Sequence, residues 1–74
     1  MNQAAFDDVD RAIIRYILDH TREHQRPPTL SETAAKVGRS HQAVRQRYQK
    51  LAKYGVLKLT ARASRGVKVI GNIG

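Results

Sequence analysis

The sequence predicts a mainly α fold in which three helices are closed by a small β-hairpin, and three observations lead to it. Two stretches of apolar residues at helical spacing flank a proline pair, Pro27-Pro28, that no helix can run through. A third helical stretch starts at Ser40, only two residues beyond Gly38, a gap that leaves room for nothing but a tight turn between helices. After Gly55 the apolar period changes from helical to alternating, which is the pattern of strands. At 74 residues the chain has room for a single domain, 1–74, with a modest core.

Asp7 or Asp8 can cap the first helix, with acids in its opening turn suiting the helix dipole and Phe6 just outside as a hydrophobic staple. Val9, Ile13, Tyr16, Ile17 and His20 recur at helical spacing, and Ala12, Ile14 and Leu18 widen the stripe, so the helix spans about 8–24. Pro27 and Pro28 then force an extended link. Thr29-Leu30-Ser31-Glu32 has the form of a capping box, in which a hydroxyl and a carboxylate satisfy free amides at a helix start. A short second helix follows at about 30–37, and Gly38 can take the left-handed conformation that ends it. Ser40 caps the third helix, about 41–54, whose inward residues are Val44, Tyr48, Leu51 and Ala52. Val56, Leu57 and Leu59 around Lys58, then Val67, Val69 and Ile70 around Lys68, read as two antiparallel strands, a hairpin at about 56–70 joined by Ala61-Arg62-Ala63-Ser64-Arg65-Gly66. Helix, tight turn, helix and basic hairpin together make a three-helix winged helix-turn-helix. Gly71 to Gly74 reads as the start of a linker or a free end.

Composition excludes several function classes. There is no cysteine, so neither disulfides nor a thiolate zinc site can supplement the core. The longest apolar runs, such as Ala12-Ile13-Ile14, are far too short to span a bilayer, and the cytoplasm is the expected location. A chain of this size is a poor host for a deep catalytic pocket, and Ser64 has no His or Lys in a nucleophile arrangement, so no catalytic residue and no cofactor is expected. His20 and His24 lie one turn apart but lack a third ligand, which makes packed or surface side chains the better reading than a metal site. Tyr16, Tyr48 and Tyr54 fall on helices and read as core or core edge, not as a base-stacking platform.

Charge is the strongest functional signal. The first 35 residues hold four arginines against six acids, whereas the ten basic residues from Lys36 to Lys68 face no acid at all. Such a one-sided excess favours a polyanionic partner, since lysine and arginine meeting phosphates release condensed counterions. With Val44, Tyr48, Leu51 and Ala52 inward, the third helix turns Gln42, Gln46, Gln49 and Lys53 outward with Arg45 at the flank. That face suits the major groove of double-stranded DNA: glutamine pairs with the adenine edge and arginine with the guanine edge. Gln42, Arg45 and Gln46 are the expected base readers. Arg39, Ser40, His41, Gln49, Lys50 and Lys53 are placed for phosphates, with Thr29 at the head of the second helix and Arg62, Ser64 and Arg65 in the hairpin loop. The bland alternatives are a solvated polar helix face and a hairpin tip with no fixed contact.

The runs Arg26-Pro27-Pro28-Thr29, Glu32-Thr33-Ala34, Val37-Gly38, Leu51-Ala52-Lys53-Tyr54-Gly55-Val56-Leu57 and Ala63-Ser64-Arg65-Gly66-Val67 resemble the amino-terminal domain of the LexA repressor family. The likeness extends from about Phe6 to Ile70 and includes Asp19-His20 in the first helix. It implies a winged fold whose third helix reads a palindromic operator and represses transcription in the SOS response, with base contacts falling on Ser40, Gln42, Ala43, Arg45 and Gln46. The chain departs from the enterobacterial form in a turn one residue shorter before Ser40, and in Arg45-Gln46 standing where two glutamates are usual. Exchanging acceptors for a donor and an amide changes which bases are preferred. Family members continue into a domain that dimerises and cleaves its own chain with a Ser-Lys pair, and no such domain lies in these residues. The isolated chain is therefore expected to be a monomer that pairs on DNA. The expected function is sequence-specific DNA binding for transcriptional regulation by a non-enzymatic domain. The rivals are a winged-helix protein-interaction module and a non-specific, nucleoid-type DNA binder.

Overall fold

The computed structural model describes residues 6–60 and 65–71. In chain order it contains α1 (Asp8–His24), α2 (Leu30–Val37), α3 (His41–Lys53), β1 (Leu57–Leu59) and β2 (Val67–Val69). The two strands form an antiparallel hairpin that pairs Leu57 with Val69, Lys58 with Lys68 and Leu59 with Val67. α2 packs between α1 and α3, while β1 lies on α3 and β2 on α1, giving a winged helix-turn-helix. No helix among the described residues is long and apolar enough to cross a membrane.

Each helix begins where a side chain satisfies its free amides. Asp7, not Asp8, caps α1: its carboxylate accepts from the Asp10 amide while the Asp10 carboxylate accepts from the Asp7 amide. Phe6 does not staple onto α1, because the residue one turn in is Arg11; its ring instead meets the edge of Tyr54, 5.4 Å away beyond the end of α3. α1 stops before the prolines, at Gln25, which takes a left-handed φ of 61° while its amide donates to the Thr21 carbonyl. The expected capping box at Thr29 and Glu32 is formed, and Gly38 ends α2 at φ 68° with its amide on the Ala34 carbonyl. A glycine suits that turn because a Cβ penalises positive φ. α3 ends at Lys53, one residue sooner than expected, since Tyr54 has left helical geometry and Gly55 turns the chain into β1. The hairpin ladder is likewise shorter than 56–70: Val56 and Ile70 are tied by an amide-to-carbonyl bond outside it.

The core is built from Ile13, Ile14 and Ile17 of α1, Ala34 of α2, Val44, Tyr48 and Leu51 of α3, and Val56, Leu57 and Val67 of the hairpin. Ala12 and Leu18, expected to widen the buried stripe of α1, are exposed. Their place is taken by a polar residue, Asp10, which is fully buried one turn ahead of Ile13 and Ile14. Its carboxylate receives Arg47 Nη1 at 3.1 Å and Lys50 Nζ at 2.5 Å, both from α3. Arg47 also binds both carboxylate oxygens of Asp7 at 2.7 Å. A second polar tie crosses from α2 to α3: the Thr33 hydroxyl donates to the Thr29 carbonyl at 3.2 Å and accepts from the Tyr48 hydroxyl at 2.7 Å. Burial pushes the Tyr48 phenol up from its ordinary value, which keeps it a proton donor. Gly71 closes the domain, where a Cβ would lie 2.6 Å from the Gly55 carbonyl oxygen and 3.0 Å from the Val56 Cα.

Two expected outcomes test this framework. The hydrogen bond from Arg47 and the Asp10 amide hold the Asp7 carboxyl down at about 2. A folded-state value below the unfolded one gives stability that is present above pH ~4 and lost as pH falls towards 2. Asp7→Asn keeps a good cap but lacks the ion pair, so its melting temperature should lie below that of the parent chain at pH 6, the gap narrowing as pH approaches 2. Thermal unfolding by circular dichroism across that range measures it, and a gap independent of pH would contradict the pairing. Gly71→Ala should cost about 1–3 kcal/mol in urea unfolding, because the atom it meets is backbone that cannot rotate away.

Candidate nucleic-acid interface

The helix-turn-helix is held together by its backbone. Gly38 and Arg39 both donate to the Ala34 carbonyl, and the Ser40 hydroxyl then accepts from the Ala43 amide to open α3. With Val44 and Leu51 sealed inside and Tyr48 nearly so, the rotation of α3 about its axis is fixed. The opposite face shows His41, Gln42, Arg45, Gln46, Gln49 and Lys53, all exposed, and no acid stands in the first turn of the helix. Among the described residues, none of these six side chains is engaged in an ion pair, and the group forms one continuous donor-rich surface. Ala43 is half-buried at its edge, and Arg39 and Ser40 are exposed just before it.

A groove of about 180 Å³ runs between α3 and the hairpin. Arg45, Tyr48 and Gln49 form one wall, Leu59, Thr60, Gly66 and Val67 the other, and Pro28 and Leu30 the end. On the outer side of the hairpin Lys58 and Lys68 stand directly opposite each other and are exposed. Like charges at that spacing repel, so the hairpin adds positive potential that an anion would relieve.

Three of the residues expected at phosphates are placed differently from the rest. Lys50 turns toward α1, where its ammonium meets Asp10 and lies 5.9 Å over the Phe6 ring. Arg65 points inward onto the Pro27 carbonyl at 2.8 Å and Glu32 Oε1 at 3.0 Å. Thr29 is half-buried, its hydroxyl oxygen accepting from the Glu32 amide at 3.1 Å. Arg62 and Ser64 lie outside the described residues. The His20 and His24 rings lie 4.4 Å apart, tilted by 45°, with Tyr16 edge-on to His20, and His20 Nδ1 donates to the Arg26 carbonyl at 3.0 Å.

Sequence reading missed Asp10, Arg47 and Glu32 as the groups that set the geometry of this surface. A signal for the first two was present. Asp10 shares the stripe of Ile13 and Ile17, and Arg47 and Lys50 lie one turn apart on the third helix, as two cations meeting one buried anion require. Glu32 was recognised for its cap, but its partner Arg65 is 33 positions away and nothing local marks it.

The LexA DNA-binding domain model matches residues 6–66. The LexA repressors of Photorhabdus laumondii and Erwinia tasmaniensis are each 38% identical to the chain over 55 residues, which is 73% of this chain and 27% of theirs. The chain thus corresponds to a minor part of the length of these relatives. With the match running from just before the cap of α1 to the residue before β2, and so covering most of the chain, the chain belongs to the LexA DNA-binding domain family.

Proposed function

We propose that this chain is the sequence-specific DNA-binding portion of a LexA-type transcriptional repressor, acting inside the cell at the nucleoid. The observation that carries the proposal is the outward face of α3, acid-free and donor-rich, on a helix whose other face is locked into the core. Gln42, Ala43, Arg45 and Gln46 read base edges in the major groove, Arg45 pairing with guanine and the glutamines with adenine, while the Ala43 methyl suits a thymine methyl. Arg39, His41, Gln49 and Lys53 hold phosphates on either side. Thr29 and Ser40 join them, because a cap uses only a lone pair of the hydroxyl oxygen and leaves its proton to donate. Arg62 and Ser64 extend the phosphate contacts through the hairpin loop. The domain itself performs no chemistry; the self-cleavage and dimerisation of whole repressors belong to sequence beyond these residues. As a single reading head it pairs with a second copy on a palindromic site.

Selection of the purified chain on a randomised duplex library at roughly physiological salt tests this directly, because non-specific affinity is already weak there. Enrichment of a palindrome with half-sites about one helical turn apart is the expected result. Salt-dependent binding without any enriched sequence would mark a non-specific binder, and no binding by a folded chain would point to a protein partner.

Substitutions separate the two kinds of contact. Arg45→Ala should relax the preference at one operator position, a loss of about 1–3 kcal/mol against the cognate base only. Lys53→Ala should weaken binding to every sequence alike and flatten the slope of log affinity against log salt by about one. Equal losses on all sequences from both changes would contradict the assignment of roles.

A further inference from the structure

We propose that Arg65 is a positioning residue of the DNA interface: it clamps the chain just before β2 to α2 through Glu32 and to the α1–α2 link through the Pro27 carbonyl, and it does not neutralise a phosphate. The inference rests on the DNA-reading function proposed above and assigns one residue within it.

One nitrogen of the guanidinium, Nη1, makes both bonds, at 2.8 Å to Pro27 O and 3.0 Å to Glu32 Oε1. The carboxylate it meets has further partners that hold it in place. Glu32 Oε1 accepts from the Thr29 amide at 2.8 Å, and His20 Nε2 stands 3.7 Å away on a ring whose other nitrogen is fixed to the Arg26 carbonyl. The Thr29 amide, and after it Arg65, hold the Glu32 carboxyl below its ordinary value, so the acceptor is charged at neutral pH. Glu32 is the last acid in the sequence, and the arginine that answers it adjoins the hairpin.

The residue after Arg65 transmits the clamp. The Gly66 carbonyl accepts from the Thr60 amide at 2.7 Å, closing the base of the hairpin, and Gly66 and Thr60 form the groove wall opposite Arg45 and Gln49. Holding Arg65 on Glu32 therefore sets the distance between the hairpin and the reading face of α3. The sequence alone suggested a phosphate contact, and the two roles differ in the sign of one result. A phosphate-binding Arg65 gains from losing the nearby Glu32 charge, whereas a clamp loses its acceptor.

The test compares the parent chain with Glu32→Gln, Arg65→Gln and the double variant, on the duplex enriched by library selection, over a range of salt. Gln retains the capping box at this position, so Glu32→Gln keeps α2 while weakening the clamp. The clamp predicts that each single variant loses affinity by about tenfold, that the double variant loses no more than either, and that the salt slope stays that of the parent. A slope reduced by about one in Arg65→Gln, together with undiminished affinity in Glu32→Gln, would overturn it. Amide hydrogen exchange without DNA supplies an independent arm: the Thr60 amide should exchange about tenfold faster in both single variants, and unchanged exchange in both would likewise overturn the clamp. If the parent chain bound no DNA, the function proposed above would fall while the exchange result still decided the clamp.

Discussion

The outward surface of α3 depends first on a buried carboxylate. Asp10 has no exposed surface, and it stands at the start of α1 with two cations of α3 on its oxygens. A lone charge in such a position would be costly, and it is tolerated because Arg47, Lys50 and the Asp7 amide surround it with donors. Burial of Val44, Tyr48 and Leu51 sets which face of α3 turns inward. The ion pair adds a directional tie to that packing, so Asp10 reinforces the rotation that turns Gln42, Arg45, Gln46 and Gln49 to solvent. The tie also accounts for two of the ten basic residues from Lys36 to Lys68: Arg47 and Lys50 are held against α1, and the outward charge of α3 rests on Arg45 and Lys53.

The angle between α2 and α3 has its own lock. The chain of hydroxyls from Tyr48 through Thr33 to the Thr29 carbonyl runs through the interior of the helix pair, and both side chains are buried. It ends on the same residue whose side chain caps α2, so one threonine joins the cap, the interior hydrogen bond and the start of the helix-turn-helix. Thr29 follows directly on the buried Pro28, whose ring removes a conformational choice from the link. The geometry of the helix pair is thus over-determined by polar contacts in a domain too small to rely on a large apolar core.

Glu32 is the third such point, joining the cap of α2 to the hairpin by way of Arg65. Taken together, Asp10, Thr29 and Glu32 act as hubs through which α1, α2, α3 and the hairpin are each fixed to at least one other element by a directional bond. All three lie in the acidic or neutral first part of the chain, and two of them receive cations from the basic second part. The charge asymmetry therefore has two uses: some of the cations bind the protein to itself, and the remainder form the surface available to DNA.

Order, type and approximate limits of every element could be read from the residues, because they rest on local physics: caps at Asp7, Thr29 and Ser40, breakers at Pro27 and Gly38, and a change of period after Gly55. The outward face of α3 was legible for the same reason, since Val44, Tyr48 and Leu51 mark the inward one. What local pattern could not decide was the destination of long, flexible cations. Lys50 and Lys53 are alike in sequence and both near the end of α3, yet one is drawn to Asp10, 40 positions away, and the other is left in solvent. Arg65 reads in the sequence as a loop cation for phosphate, and the fold brings it onto Glu32. Such pairings depend on which residues tertiary packing brings within a few ångströms, and separation along the chain carries no record of that distance.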